Sequence, residues 1–508
     1  MKNGSQIALL FILGFGVCFG GACAADATPA GAPGRPAVRW RGFNIDGKAI
    51  KGMFSGTWDE RDLILMRDWG FNFARVMIDH RYFCRPGTFE PDPALFPPID
   101  EMLGWGRKHN IHIQFCFSIP PGVDYAVSRS KKAILEAPAL IRANVACWTF
   151  FARRYRDVPG DALSFNLFNE PSADCDAAAY AAFIAACEQA IHAESPARFV
   201  VADGLQMARM PPRGEIPASV GLSLHVYDPM EITHYEAPWC RRDGAWPTPQ
   251  WPPVPVTSPL YGSRKKGVDE PIVIERVPAC RLTVVPGRVN RLAELVVKAD
   301  GREVGRRRFF PQEKGADGYT NLVARSNEEW AGVPVAPFAV DVPACARLEI
   351  GLGQGDWMEV DALVFAADGR SARVVPSYRW RLPWMPARTP VRFAGWDAPQ
   401  PLVNRDGAAY TGADFLRDNV FAPWEDALAA GRFVMVGETG VFNRTPHDVS
   451  LAYLESLLKE LKARNIGWAF WNFRGGFGLL DSNRADVDYE AFQGHRIDRK
   501  MLELLQRY

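Results

Sequence analysis

The fold of this chain is indicated by the stretch LSFNLFNEP at residues 163–171. Its apolar run, Leu163 to Phe168, does not alternate with polar residues, which is typical of a strand covered on both faces. The carboxylate of Glu170 follows that run. A carboxylate at the end of a buried strand costs free energy unless it is paired or used. The stretch therefore predicts a buried strand of an α/β protein with a functional residue at its end.

The same pattern of an apolar strand and then a helix continues on both sides of this stretch. Helical patterns lie between the apolar runs, which predicts βαβ units and a parallel sheet. Eight strands are expected: Val38–Ile45, Phe73–Ile78, Ile111–Phe117, Leu163–Phe168, Phe199–Asp203, Leu222–Tyr227, Phe433–Val436 and Gly467–Trp471. The expected helices are Glu60–Trp69, Pro98–His109, Lys132–Tyr155, Ala177–Ala193, Ala413–Ala430, Ser450–Ala463 and Asp488–Leu505. Eight such units predict a (β/α)8 TIM barrel, with a doubly wound sheet as the structural alternative.

The alternation stops between the sixth and seventh strands. Short strand-like segments without a convincing helix fill this region, and Asp300-Gly301 and Asp368-Gly369 are turn signals. We therefore expect an inserted β-sandwich that binds carbohydrate, walls the cleft or mediates dimerisation. The predicted division is a signal segment at 1–24, a linker at 25–37, barrel parts at 38–253 and 397–508, and the insertion at 254–396.

The N-terminus has the features of an export signal. Lys2 precedes an apolar run from Ile7 to Phe19 that is too short to span a bilayer, and Ala22-Cys23-Ala24 fits a cleavage site. We expect a secreted or periplasmic protein, with a lipoprotein anchor at Cys23 as the less favoured alternative. No other run is long enough to cross a membrane. A net charge of +1 gives no reason to expect a nucleic-acid partner.

A second strand end resembles the first. The apolar run Phe433 to Val436 leads to Glu438, as Leu163 to Phe168 leads to Glu170. Barrel enzymes place catalytic residues at the C-terminal ends of their strands, so the two carboxylates are expected to meet there. They form a candidate pair for general acid and nucleophilic catalysis on a glycosidic bond.

The barrel part of the chain, roughly residues 38–250 and 400–508, resembles glycoside hydrolase family 5, the cellulase family. The family motifs that recur in order are Arg75 on strand two, Asn169-Glu170-Pro171 after strand four, His225-Val226-Tyr227 after strand six, Glu438 after strand seven and Trp471 on strand eight. One departure is Ser118, which occupies the position after strand three where many members carry a histidine. Because the family histidine lines the sugar site, its replacement affects the expected substrate subgroup more than the expected reaction.

The resemblance implies a role for each of these side chains. Glu438 would attack the anomeric carbon, and Glu170 would start protonated as general acid and then act as base. Arg75 would keep Glu438 ionised, and Tyr227 would donate a hydrogen bond to it. The other three residues would contact the substrate. Asn169 would bind the sugar 2-hydroxyl, His225 would line the site and Trp471 would stack under the sugar ring.

The family resemblance implies hydrolysis of β-glycosidic bonds in a polysaccharide or oligosaccharide. Two alternatives stay open: an exo-acting enzyme on short glycans, and a carbohydrate-binding protein that has lost catalysis. No group of side chains has metal-ligand spacing, and neither a metal nor a cofactor is expected. Cys280 and Cys345 lie in the repeated sequence Val-Pro-Ala-Cys and could pair, although the sequence does not fix disulfide connectivity.

Overall fold

The computed structural model describes residues 35–124, 130–240, 246, 248–252, 258–263, 269–309, 322–324, 330–332, 337–374, 391–393, 395–396 and 411–508. The predicted export signal at 1–24 and most of the linker at 25–37 lie outside these ranges. Among the helices that are described, none combines the length and the hydrophobicity needed to cross a membrane.

Eight parallel strands in the described part of the chain close into a barrel, which confirms the predicted fold. In chain order they are Arg41–Lys48, Phe73–Asp79, His112–Ile119, Leu163–Asn166, Phe199–Asp203, Val220–Val226, Val434–Thr439 and Gly467–Phe470. The first strand pairs with both the second and the eighth, which closes the sheet. A doubly wound sheet would leave two open edges, so this alternative is wrong.

Helices cover the outside of the barrel. The described α-helices are Glu60–Asp68, Pro97–His109, Lys132–Glu136, Pro138–Arg154, Ala177–Glu194, Leu205–Ala208, Met230–Thr233, Gly412–Leu416, Glu425–Ala429, His447–Ala463 and Arg499–Arg507. The side chains of Asp59, Asp176 and Asp498 accept backbone hydrogen bonds at the starts of three of them, which fixes where those helices begin.

Alternating side chains of each strand face either the helices or the interior of the barrel. Along the second strand, Ala74, Val76 and Ile78 belong to the main core under the helices. Phe73 instead packs inside the N-terminal end of the barrel, in a cluster with Trp40, Phe199, Val201, Met435 and Ala469. Arg75 lies two residues further along the same inward face, as the period of a strand requires. The apolar floor therefore ends directly beneath a polar layer that contains this arginine.

An antiparallel β-domain lies between the sixth and seventh barrel strands, as predicted. Two long strands, Cys280–Ala299 and Cys345–Ala367, pair along most of their length and share a separate hydrophobic core. The other described strands of this sheet are Ser258–Tyr261, Ile272–Val277, Arg302–Phe309, Phe338–Val342, Arg370–Val374 and Val391–Arg392. The last of these pairs in parallel with Ile272–Val277. Leu322–Ala324 and Trp330–Gly332 form a separate two-stranded sheet. The exact domain boundaries stay predictions.

The predicted turns of the insertion are present. Asp300-Gly301 and Asp368-Gly369 each join two antiparallel strands, and all four residues have positive φ values of 47° to 80°. Two consecutive positive φ values are what a two-residue hairpin needs, and glycine tolerates them best. Cys280 and Cys345 both border the core of this domain as free thiols.

Three helix predictions need correction. Lys132–Tyr155 divides into two helices because Pro138 starts a new one. The span 413–430 consists of two short helices joined by a π-helical turn at Arg417–Phe421 and a 3-10 turn. The span 488–505 begins instead with two short paired strands, Glu490–Phe492 and His495–Ile497. The turn at Gln493-Gly494, with φ values of 50° and 86°, breaks that helix.

Candidate active site

The two glutamates singled out in the sequence lie together at the C-terminal mouth of the barrel. Glu438 belongs to the seventh strand and pairs in register with His225 of the sixth. Glu170 lies beyond the fourth strand, which ends at Asn166 rather than at Phe168. One carboxylate oxygen of each glutamate and one ring nitrogen of His225 lie within 4.8 Å of one another.

Arg75 forms the centre of the hydrogen-bond network beneath these carboxylates. Its side chain is fully buried, and its Nη1 donates to Glu438 Oε1 at 2.8 Å. Its Nη2 donates to Asn169 Oδ1 at 2.8 Å and lies 3.2 Å from Asp203 Oδ2. Asn166 accepts from both Nε and Nη2, at 2.9 and 2.7 Å. One guanidinium therefore orients groups from the fourth, fifth and seventh strands at once.

The carboxylate of Glu438 is held on both oxygens. Oε1 accepts from Arg75, and the hydroxyl of Tyr227 donates to Oε2 at 3.1 Å. Burial raises the pKa of Glu438 above its usual range, and the positive charges of His225 and Arg75 oppose that rise. The side chain is 7% exposed, so one edge of the carboxylate stays accessible from the mouth.

His225 bridges the acidic groups. Its Nδ1 lies 2.9 Å from Glu170 Oε1 and 3.8 Å from Glu438 Oε2, and its Nε2 lies 3.2 Å from Asp203 Oδ2. Burial alone would lower the pKa of this imidazole, but the charges of Glu438 and Asp203 raise it to about 10. A pKa raised in this way favours the imidazolium form of His225, with a proton on each nitrogen, at neutral pH.

Asp203 is a site residue that the sequence analysis did not single out. It ends the fifth strand, is fully buried, and contacts Arg75, His225 and Asn166. Burial would raise its pKa, but the charges of His225 and Arg75 hold that pKa well below the usual range. Its position at the end of an apolar strand is the same signal that identified Glu170 and Glu438, so it could have been found in the same way.

The backbone of Glu170 is anchored from two sides. Its φ of 47° lies in the left-handed region, which is uncommon for a residue with a Cβ atom. Its N–H donates to Asp203 Oδ2 at 3.0 Å, and the buried ammonium of Lys131 donates to its carbonyl at 3.1 Å. Lys131 also donates to the carbonyl of Asn169. The sequence carried no signal for Lys131, since it lies in an irregular segment before a short helix.

The pKa of Glu170 does not favour the expected starting state, in which this carboxyl group is protonated. Burial would raise the pKa of Glu170, but the hydrogen bond and charge of His225 and the charge of Lys131 bring it below the usual range. Three basic groups face three carboxylates, and the cluster is neutral when every group is ionised: Arg75, Lys131 and His225 against Asp203, Glu170 and Glu438. Burial lowers the pKa of Lys131, and the charge of Glu170 opposes that fall. In this state the available proton is on His225 rather than on Glu170.

The other two predicted substrate-binding residues lie next to this network. Asn169 reaches it through the hydrogen bond from Arg75. Trp471 follows the eighth strand directly, and its ring packs on a small cluster of Ala49, Met77 and Cys116. Met77 and Cys116 in turn contact the Arg75 guanidinium through their sulfur atoms, each at 3.2 Å. The structure thus brings all seven predicted site residues to one end of the barrel, while their roles stay predictions.

Ser118, at the position where the family pattern has a histidine, is nearly buried and donates a hydrogen bond to the carbonyl of Ala49. It therefore connects the loop after the first strand to the third strand. Ala49, which lies in this loop, also packs against Trp471. This position has a local structural partner and does not reach the carboxylates by any contact in the described residues.

The ligand atoms of Glu170, His225 and Glu438 are close enough together to hold a metal ion. A metal-bound imidazole must give up the proton on its coordinating nitrogen. The pKa of His225, about 10, opposes that loss at neutral pH. The donor set therefore favours a proton over a divalent cation.

A comparison with protein families matches the first part of the barrel. The family model described as cellulase (glycosyl hydrolase family 5) matches residues 31–254, which include the first six barrel strands. Comparison with curated protein sequences gives no match. Glu438 and Trp471 lie beyond the matched range and are brought to the site by the fold.

Solved structures share the fold at low sequence identity. A structure titled as a glycoside hydrolase has a TM-score of 0.58 and 21% identity, covering 92% of this chain and 99% of its own. Cellulose synthase subunit Z from Clostridioides difficile has a TM-score of 0.51 and 13% identity, with the same two coverages. Endoglucanase Cel5A from Thermotoga maritima has a TM-score of 0.51 and 12% identity, covering 92% and 96%. The barrel is a glycosidase domain, and the part that contains its first six strands matches glycoside hydrolase family 5, the cellulase family.

Proposed function

We propose that the protein is a secreted retaining glycosidase that cleaves β-linked glycans by double displacement. The observation that carries the proposal is the close approach of Glu170 and Glu438, whose oxygens lie within 4.8 Å. Retaining glycosidases have carboxyl groups about 5–5.5 Å apart, whereas inverting enzymes need about 6.5–9.5 Å to admit a water molecule. An approach of one oxygen from each carboxylate to within 4.8 Å fits the closer, retaining spacing and favours direct attack by a carboxylate.

Glu438 is the nucleophile in this mechanism. Its attack on the anomeric carbon forms a glycosyl-enzyme ester and releases the leaving oxygen. The hydrogen bonds from Arg75 and Tyr227 orient the carboxylate before the attack. The negative charge of Glu438 is lost as the ester forms, and Arg75 keeps Asp203 and the two asparagines as partners. The network therefore stays in place through the intermediate.

Glu170 delivers the proton to the leaving oxygen. In the resting site the hydrogen bond between His225 Nδ1 and Glu170 Oε1, 2.9 Å long, holds that proton on the imidazole. Transfer along this bond gives a neutral imidazole and a protonated carboxyl without moving a heavy atom. Substrate binding favours the transfer because it removes water from Glu170, and desolvation stabilises the neutral form of a carboxyl group. Glu170 then acts as base towards water in the second step.

The substrate class that fits the site is a neutral β-glycan. The charges of the catalytic cluster cancel, so nothing there selects a charged sugar at the cleavage point. Asn169 is positioned to bind the sugar 2-hydroxyl, a contact that strengthens in the transition state, and Trp471 offers a ring for stacking. The insertion leaves from the catalytic face after strand six, which is compatible with exo action. The length of the released products distinguishes exo from endo cleavage.

Export is part of the proposal and rests on the N-terminal sequence. A cationic start, an apolar run and a small-residue cleavage site occur in the order typical of a secretory signal, at Lys2, 7–19 and 22–24. N-terminal sequencing of the exported protein is expected to begin near residue 25. Recovery of the intact Met1 terminus from the cell interior alone would contradict export.

Glutamine substitutions test the assignment of the two carboxylates. On a panel of β-glucan, mannan and xylan, we expect Glu170→Gln to lower kcat/KM by about 10²–10⁴-fold, because proton transfer is lost. Glu438→Gln is expected to lose at least as much, since no nucleophile remains. Reducing-end release measures both variants, and Glu425→Gln, an exposed helical glutamate, is the matched control.

An activated aryl β-glycoside separates the two roles. Its phenol leaves without a proton, so Glu170→Gln should form the glycosyl-enzyme and then hydrolyse it slowly. Mass spectrometry should find the sugar attached to Glu438. Unchanged turnover in Glu438→Gln, or a sugar on a different residue, would contradict the mechanism.

Lys131 is expected to be a positioning residue for Glu170. Lys131→Met removes a cation that lowers the pKa of Glu170, so that pKa should rise. The basic limb of the pH profile of kcat/KM, which reports loss of the proton shared by His225 and Glu170, should move to higher pH. Lys131→Arg keeps the charge and should keep the limb in place. If Lys131→Met lowers kcat/KM at every pH but leaves the basic limb at the same pH, the role of Lys131 is only structural.

A further inference from the structure

An aromatic surface extends from the active site across three loops of the barrel mouth. Trp239 follows the sixth strand, Phe442 the seventh and Phe477 the eighth. The rings of Trp239 and Phe442 have centroids 4.9 Å apart, those of Trp239 and Phe477 6.1 Å, and those of Phe442 and Phe477 5.4 Å. Trp239 is 50% exposed, which is unusual for so large an apolar ring.

This surface is continuous with the catalytic residues. Phe477 packs 6.4 Å from the ring of Tyr227, whose hydroxyl binds Glu438. His234 lies between them, 5.0 Å from the Tyr227 ring and 5.4 Å from the Phe477 ring. Phe477 is nearly buried, so this packing fixes the exposed ring of Trp239 relative to the catalytic end of the barrel.

A cavity of about 500 Å³ lies beside the aromatic surface. It is lined by Glu236, Pro238, Phe442, Asn443, Arg444, Asn483 and Ala485. This volume is within the range of small-molecule sites, about 300–1,000 Å³. The lining combines an aromatic ring with amide, carboxylate and guanidinium groups, which is the combination that sugars require: an apolar ring face and polar hydroxyl partners.

The walls of the cavity are connected to one another. The backbone N–H of Phe442 donates to the carbonyl of Thr233 at 2.9 Å, which joins the loops after strands six and seven. The Asn443 amide donates to the carbonyl of Ser482 at 2.6 Å, which joins the loops after strands seven and eight. These bonds hold the lining in one arrangement before any ligand binds, which lowers the cost of binding.

Two features of the lining point to a ligand. The Oδ1 atom of Asn443 is buried and has no hydrogen-bond partner among the described residues, although such atoms are normally paired. Glu236 has a φ of 53°, a left-handed backbone that is uncommon for a residue with a side chain. Strained residues of this kind are concentrated at binding sites and active sites.

We propose that this cavity and the adjoining ring of Trp239 form a distal subsite, in which Trp239 stacks on a neutral sugar unit of the same β-glycan that is cleaved at Glu438. The proposal rests on the function proposed above and extends it to a long-chain substrate. Hydroxyl groups of the sugar bind Asn443, Asn483, Glu236 and Arg444. The carboxylate and guanidinium charges of the lining cancel, which favours a neutral sugar over a uronic acid.

The test compares chain lengths within each variant. We measure kcat/KM for a long β-glycan, chosen from the panel by wild-type activity, and for an aryl monoglycoside that is too short to reach the subsite. In Trp239→Ala the ratio of kcat/KM for the long chain to kcat/KM for the short substrate should fall roughly tenfold, because one aromatic contact with the bound sugar is lost. Trp239→Phe keeps a ring and should recover part of the ratio.

Phe89→Ala is the matched control, because this exposed aromatic ring packs on His80 and, among the described residues, makes no ring contact with Trp239, Phe442 or Phe477. Its ratio should equal that of the wild type. An unchanged ratio in Trp239→Ala would overturn the subsite, and so would an equal loss on both substrates, which would mean that Trp239 acts through Tyr227. A stronger preference of the wild type for a polyuronate than for a neutral glycan would overturn the choice of ligand.

Failure of the proposed function has a separate outcome. If the wild type hydrolyses nothing in the panel, direct binding of neutral β-glucan, mannan and xylan oligosaccharides is measured by calorimetry. Binding that Trp239→Ala abolishes would still support the subsite. Binding that survives this substitution, or no binding to the wild type, would overturn it.

Discussion

The site depends on one buried cation, the guanidinium of Arg75, which lies on top of the apolar floor of the barrel. Burial of an unpaired charge there would cost several kcal/mol, and the surrounding carboxylate and amide groups offset this cost only in a fixed geometry. Because Arg75 binds Glu438, Asp203, Asn166 and Asn169, it sets the relative positions of three strand ends. Glu170 is joined to the same network through Asp203 and His225, which brings it close to Glu438.

Charge balance then explains why the cluster has three cations. His225 and Lys131 offset the two carboxylates that Arg75 alone cannot neutralise. The balance also determines where the catalytic proton is held, since the imidazolium lowers the pKa of Glu170. The interior of the barrel thus supplies the chemistry, while the loops after strands six, seven and eight supply the aromatic surface around Trp239. Substrate choice can change in those loops without disturbing the network.

The strand order and the two glutamates could be predicted because both depend on local patterns. Apolar runs mark buried strands, and a carboxylate at the end of such a run is unusual. Asp203 followed the same rule and was overlooked because no motif drew attention to it. Lys131 could not be predicted, since its role comes from contacts with the backbone of Glu170 across the fold. The helix predicted at 488–505 was wrong for a local reason. The Gln493-Gly494 turn interrupts a stretch whose composition otherwise favours a helix.

The protonation state of His225 tests the central claim most directly. Nitrogen-15 NMR of histidine-labelled enzyme, with the signal assigned by its loss in His225→Asn, reports the protons on both ring nitrogens. The charge-balanced site predicts that both nitrogens are protonated at pH 7 and that the ring titrates near pH 10. A neutral ring at pH 7, with one nitrogen unprotonated, would contradict it and would place the catalytic proton on a carboxyl group.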